Sequence, residues 1–142
     1  MERIATEELV TTIVETQSLE DLMKKPCFVH VTLSSFLNDL LKKKNMTRVD
    51  VIHRAKLNET FGYQIFVGQR KASRNKILQI AFAMNLDYME TQRLLAVAEV
   101  GGLYPRDRRD AIIIFCIINH ATLQETDDKL YHFGEKTIVL GE

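Results

Sequence analysis

Apolar residues recur along most of this chain at the i, i+3, i+4 and i+7 spacing of amphipathic helices. Leu33, Phe36, Leu37, Leu40 and Leu41 show the pattern most plainly. The helix they predict closes on Lys42, Lys43 and Lys44, cations suited to a helix C-terminus. Upstream, Thr6 can cap a helix carrying Leu9, Val10, Ile13 and Val14. Ser18 can cap a short one with Leu19 and Leu22 as its apolar face, ended by Pro26. Phe28-Val29-His30-Val31 is β-prone but has no partner strand, so it reads as an extended connector. Downstream, Thr47 caps a helix with Val49, Val51 and Ile52 inward. Asn58 caps the next, over about residues 59–67, and Gly68 stops it. A further helix starts at Asn75, and another spans about residues 88–98 before a break at Gly101-Gly102. Pro105 suits the first turn of a helix holding the apolar run Ile112–Ile118, and a last helix runs over about residues 123–133. The fold class this pattern predicts is all-α.

Glu90-Thr91 followed by Leu95 recurs as Glu125-Thr126 followed by Leu130, at an offset of 35 residues. Each copy follows an apolar helix, which predicts two similar helical hairpins stacked side by side. Chance recurrence in a helical chain is the alternative.

Composition narrows the classes. With 142 residues, 46% apolar and 27% charged, the chain is sized for one domain with an appended element, and it can bury a proper core. It holds no run of about 18 apolar residues that would cross a membrane. The first residues lack the basic-then-apolar order of a signal peptide. Two cysteines, Cys27 and Cys116, make no disulfide framework and fit a reducing, cytoplasmic setting.

The formal net charge is zero, but the charge is unevenly spread. Residues 1–30 carry −3. Residues 47–76 carry +5, from Arg48, Arg54, Lys56, Arg70, Lys71, Arg74 and Lys76 against two acids. Phosphate binding is decided by a local basic patch and not by the global sum.

Within that basic region lie two short predicted helices joined by a tight turn. The first covers residues 47–54, the turn is Ala55-Lys56-Leu57-Asn58, and the second covers residues 59–67. Val51, Ile52 and Ala55 would pack on Leu57, Phe61 and Ile65. This is the plan of a helix-turn-helix. Residues 33–98 resemble the helix-turn-helix domain of the lambda-repressor and Cro type, often called the XRE family. The resemblance is carried by Leu37, Leu40 and Leu41, by Val51-Ile52-His53-Arg54-Ala55-Lys56-Leu57-Asn58, and by Tyr63-Gln64-Ile65-Phe66-Val67-Gly68-Gln69-Arg70-Lys71-Ala72-Ser73-Arg74. The apolar helix Ile77-Leu78-Gln79-Ile80-Ala81-Phe82-Ala83-Met84 follows.

The resemblance implies a five-helix domain over residues 32–100, flanked by an N-terminal helical segment, 1–31, and a C-terminal helical hairpin, 101–142. It implies that Glu59, Thr60, Tyr63 and Gln64 meet base edges, with Gln64 suited to adenine and Thr60 to a thymine methyl or a polar edge. It implies that Thr47, Arg48, Arg70, Lys71 and Arg74 hold phosphates. The chain departs from the family at Lys56, where many members have Gly, and carries Gly62 inside the second helix. A left-handed backbone at Lys56 would cost about 1 kcal/mol, and a mid-helix glycine roughly 0.5–1 kcal/mol. Glu59 places an acid near phosphates, although it also suits a helix N-terminus.

Other chemistry is thinly represented. Cys27-x-x-His30 and Cys116-x-x-x-His120 have ligand-like spacing, but Cys116 lies in an apolar run where a free cysteine is a small core residue, so no metal or other cofactor is expected. No phosphate-cradling glycine loop, nucleophile elbow or metalloprotease helix is present, so no enzyme is expected. Arg106-Asp107-Arg108-Arg109-Asp110 reads as a solvated turn with ion pairs. The apolar Ile112–Ile118 helix fits the core or a homodimer interface. The expected partner is double-stranded DNA, bound by a transcriptional regulator. The alternative is a non-catalytic helical adaptor that binds a protein through the N-terminal segment or the C-terminal hairpin.

Overall fold

The computed structural model describes residues 6–24 and 31–139. Pro26, Cys27, the Phe28–His30 run and its connector reading lie outside the described residues. The described residues are all-helical. They divide into two units, residues 1–30 and 31–142. In the first unit α1 spans Thr6–Glu15 and α2 spans Leu19–Met23. Ser18 caps α2 by accepting from the Asp21 N–H, as its spacing predicts. Val10, Ile13 and Val14 of α1 are exposed, although their spacing marks them as its apolar face.

The second unit holds α3 (Leu33–Lys44), α4 (Arg48–Arg54), α5 (Glu59–Phe66), α6 (Arg74–Ala83), α7 (Tyr88–Val97), α8 (Arg108–Ile118) and α9 (Leu123–His132). One turn chemistry recurs at four junctions. A residue with positive φ is followed by an apolar residue and then by the cap of the next helix: Asn45-Met46-Thr47, Lys56-Leu57-Asn58, Asn85-Leu86-Asp87 and His120-Ala121-Thr122. In each, the N–H of the apolar residue reaches back into the preceding helix, as Leu57 does to Ile52 O at 3.2 Å and Leu86 to Ala81 O at 3.1 Å. This satisfies carbonyls the helix end would leave orphaned, while the cap satisfies N–H groups of the next helix. The turns are short, so consecutive helices pack on one another.

The core runs through α3–α9. Leu37, Val51, Ile65, Phe66, Ile77, Leu78, Ile80, Leu94, Leu95, Ile113 and Leu130 are fully buried. Each such side chain contributes roughly 1.5–3 kcal/mol through loss of apolar surface to water. The central helix is α6, which packs on α4, α7 and α9.

The 35-residue echo extends well beyond the three residues of each copy that announce it. Arg74 donates through Nε and Nη2 to Gly101 O (3.2 Å) and Gly102 O (2.8 Å). Thirty-five residues on, Arg109 donates through Nε and Nη2 to Lys136 O (2.8 Å) and Thr137 O (3.3 Å). Gln92 Oε1 accepts from Leu103 N at 2.7 Å, and its counterpart Asp127 accepts from Ile138 N. Leu103 and Ile138 are both buried. The hairpins α6–α7 and α8–α9 therefore share one construction. They also pack reciprocally: α6 meets α9 while α7 meets α8. Arg74 of the first reaches Asp110 of the second, and Arg109 of the second reaches Asn75 of the first. Such reciprocity is the mark of an approximate two-fold relation.

Three expectations are corrected here. Val49 does not face inward on α4 but is exposed. Pro105 is not in the first turn of a helix: α8 begins at Arg108, capped by Asp107. The 106–110 run is solvated only in part: Arg106, Asp107 and Arg108 are exposed and ion pairs form as expected, but the run opens α8 and turns inward at its end. Asp110 is buried, and Arg108 and Arg109 hold the chain after α9 through Phe133 O, Lys136 O and Thr137 O. Arg109 and Asp110 tie the two hairpins together, a role the sequence does not mark.

Candidate nucleic-acid interface

The helix pair α4–α5 is built from its caps inward. Thr47 accepts from Asp50 N at 3.2 Å and Asn58 accepts from Phe61 N at 3.1 Å. Between them Lys56 has φ of 58°, the left-handed conformation for which glycine is suited. Val51, Ile52, Ala55, Leu57 and Ile65 are buried together. Phe61 is only partly buried, and Phe66 and Gly62 take inner places on α5 instead.

The C-terminus of α5 is fastened from α3. Ser34 Oγ donates to Phe66 O at 2.6 Å, and Asn38 Nδ2 donates to the same carbonyl at 3.2 Å. Gly68, with φ of 82°, brings the chain past Ser34. Ser34 and Asn38 position α5, and sequence reasoning missed them. Their only signal is that two polar residues lie one turn apart on α3.

With its inner face fixed, α5 turns Glu59, Thr60 and Tyr63 outward, with Gln64 half-exposed beside them. Two arginines flank this face. The Arg48 guanidinium lies 4.6 Å from the Tyr63 ring centroid, within the range of a cation–π contact. Arg70 donates through Nε to Gln64 Oε1 at 2.8 Å and stands 5.3 Å from the Phe61 ring centroid. Lys71 is exposed. Thus Glu59, Thr60, Tyr63, Gln64, Arg48 and Arg70 come together on one surface, with Thr47 at its α4 edge as a cap.

Arg74 does not join them as a free cation. Its Nη1 and Nη2 grip Asp110 at 2.9 and 2.7 Å, while its other donors go to Gly101 and Gly102. Burial raises the Asp110 carboxyl, but the Arg74 hydrogen bonds, the Tyr104 N–H and the Arg74 and Arg109 charges outweigh it. Its pKa lies below the usual carboxylate value. Glu90 behaves alike. Burial opposes its charge, but the Asp87 backbone and the ammoniums of Lys44 and Lys43 lower its pKa. Both lysines end α3 and pin it to α7, at 3.2 and 3.4 Å.

Cys116 is fully buried and His120 is an exposed turn residue. Cys27 and His30 lie outside the described residues. Among the described residues no three His, Cys, Asp or Glu side chains gather as metal ligands. No described helix is long and apolar enough to cross a membrane. Comparison with protein-family models, curated proteins and solved structures finds no match to this chain.

Proposed function

We propose that the protein is a sequence-specific DNA-binding transcriptional regulator of the lambda-repressor and Cro type, with α3–α7 as its five-helix domain and α5 as the helix that enters the major groove. The observation that carries this reading is the outward face of α5. Polar side chains able to meet base edges, Glu59, Thr60 and Gln64, share it with Tyr63, and Arg48 and Arg70 border it. A capped two-helix unit offers such a face to a groove, while cations at its margin meet phosphates. Arg48, Arg70 and Lys71 supply the phosphate grip. Arg74 supports the fold, since Asp110 neutralises it.

The test is selection of bound duplexes from a random DNA pool, followed by titration of the enriched duplex at several salt concentrations. An enriched motif whose affinity falls steeply with salt supports the regulator. No enrichment at low salt, with folded protein, favours the helical adaptor, whose apolar contacts respond little to salt.

A further inference from the structure

Three arginines flank α5, and their donors are engaged differently. Arg74 gives Nε, Nη1 and Nη2 to Gly101, Asp110 and Gly102. Arg70 gives Nε to Gln64. Arg48 lies over the Tyr63 ring, 4.6 Å from its centroid, and among the described residues its guanidinium has no hydrogen bond or ion pair. A ring face attracts the charge but offers no oxygen acceptor. The guanidinium is therefore held in place while its fork of N–H donors stays unused.

The position does nothing for α4 itself. Arg48 is the first residue of that helix, where the dipole favours an acid and disfavours a cation. Thr47 already caps this end, and Asp50 supplies the acid of its first turn. Tyr63 is 45% exposed on the outward face of α5, one turn after Glu59 and Thr60. The ring thus draws the arginine from the start of α4 onto the face that α5 turns outward.

We infer that Arg48, seated on Tyr63, reads a guanine in the target duplex, beyond any grip it has on a phosphate. This rests on the DNA-binding reading above. Guanine shows two acceptors, O6 and N7, on its major-groove edge, spaced for the guanidinium fork. Adenine and cytosine each put an amino donor there, and thymine sets a methyl group beside a single acceptor, so none of them receives both donors. Tyr63 is the platform. It positions Arg48 through its ring, and its hydroxyl is not needed for that.

The experiment selects bound duplexes from a random pool with the full wild-type chain. The enriched duplex is then titrated beside single-base variants and beside duplexes carrying 7-deazaguanine, which lacks N7, at each guanine in turn. One guanine is expected to be required, with a loss of roughly tenfold to a hundredfold when the base is changed. A smaller loss is expected with 7-deazaguanine at the same position, a readout that needs no variant protein. Arg48→Lys keeps the charge and gives up the planar fork. It is expected to lose most of the preference for that guanine with the salt slope unchanged. Tyr63→Phe is expected to keep the preference, and Tyr63→Leu to lose most of it. A wild type indifferent to 7-deazaguanine at every position overturns the inference. So does an Arg48→Lys chain that weakens on all duplexes alike, the behaviour of a phosphate contact. Either result, with a motif enriched, leaves DNA binding standing and removes only Arg48 from base reading. No enrichment, with folded protein, overturns both.

Discussion

A Cβ placed on Gly62 would lie 2.6 Å from Cγ2 and 2.9 Å from Cγ1 of Ile52. Helices α4 and α5 therefore approach more closely at this point than any side chain at 62 permits. This changes the meaning of a glycine in mid-helix. Helix propensity alone makes Gly62→Ala favourable by roughly 0.5–1 kcal/mol. The packing opposes it, because Ile52 is 5% exposed and has little room to move. Overpacking of this kind costs about 1–3 kcal/mol, so Gly62→Ala is expected to destabilise the protein in urea unfolding. Ile52→Ala destabilises it as well, by opening a cavity. Combined, the two changes are expected to cost less than their sum, and a double-mutant cycle measures the coupling. Additive losses would mean that the contact does not govern this site.

Local chemistry made much of this fold readable in the sequence. Thr47, Asn58 and Ser18 announce helix starts because a cap acts within three residues of itself. Gly68 and the outward face of α5 were legible for the same reason. The Arg74–Asp110 pair was not, since it joins residues 36 apart by number and no periodicity links them. The same holds for Ser34 and Asn38 on Phe66 O. The inward role of Arg109 and Asp110 was hidden because a mixed-sign segment looks the same whether water or another hairpin receives its charges. The 35-residue echo showed in the sequence at Glu90-Thr91 with Leu95 and Glu125-Thr126 with Leu130, where identical residues recur. The equivalence of Gln92 with Asp127 lies in the hydrogen bond each accepts and not in identity of residue.

The tie between the hairpins gives the protein an acid sensitivity. Asp110 is 6% exposed and its pKa is lowered in the folded state. A lowered carboxylate stabilises the fold at pH above its unfolded value, about 3.9, and that contribution is lost as pH falls through the folded value. Asp110→Asn removes it and leaves Arg74 without its counter-ion. The expected loss is about 2–4 kcal/mol at neutral pH, below the full cost of a buried pair because Arg74 keeps 27% side-chain exposure. The gap between wild type and variant is expected to narrow as pH drops below about 4. Urea midpoints at a series of pH values would show this, and a gap independent of pH would remove the ion pair from the account.

Lys56 holds a left-handed backbone at φ 58° in the turn between α4 and α5. Its side chain contributes only an exposed hydrogen bond to Gln124, at 3.3 Å. Lys56→Gly relieves a penalty of about 1 kcal/mol, part of which is offset by the greater freedom of glycine in the unfolded chain. A net gain of roughly 0.5 kcal/mol follows, seen as a rise of about 1–2 °C in Tm for a chain of this size. A fall in Tm would show that the Lys56 side chain matters more than its backbone.

The basic residues around α5 separate into two classes that mutation should distinguish. Lys71 is exposed, and Lys71→Ala is expected to weaken binding to every duplex alike and to flatten the salt slope by about 1. Arg74 is held by Asp110 and two carbonyls, so Arg74→Ala is expected to lower Tm while leaving the salt slope of the folded protein unchanged. Gln64 is a different case. Bidentate reading of adenine needs its Oε1 as acceptor and its Nε2 as donor, yet Arg70 occupies Oε1 in the free protein. On the DNA-binding reading proposed above, Arg70 exchanges this bond for one to a phosphate as the duplex docks. Gln64→Ala is therefore expected to cost about 1–3 kcal/mol at one base position. Arg70→Ala is expected to reduce the salt slope without relaxing specificity there. Titration of the selected duplex and of single-base variants, each at several salt concentrations, separates these effects. A specificity loss in Arg70→Ala as large as that in Gln64→Ala would mean that the pair acts as one unit and stays joined in the groove.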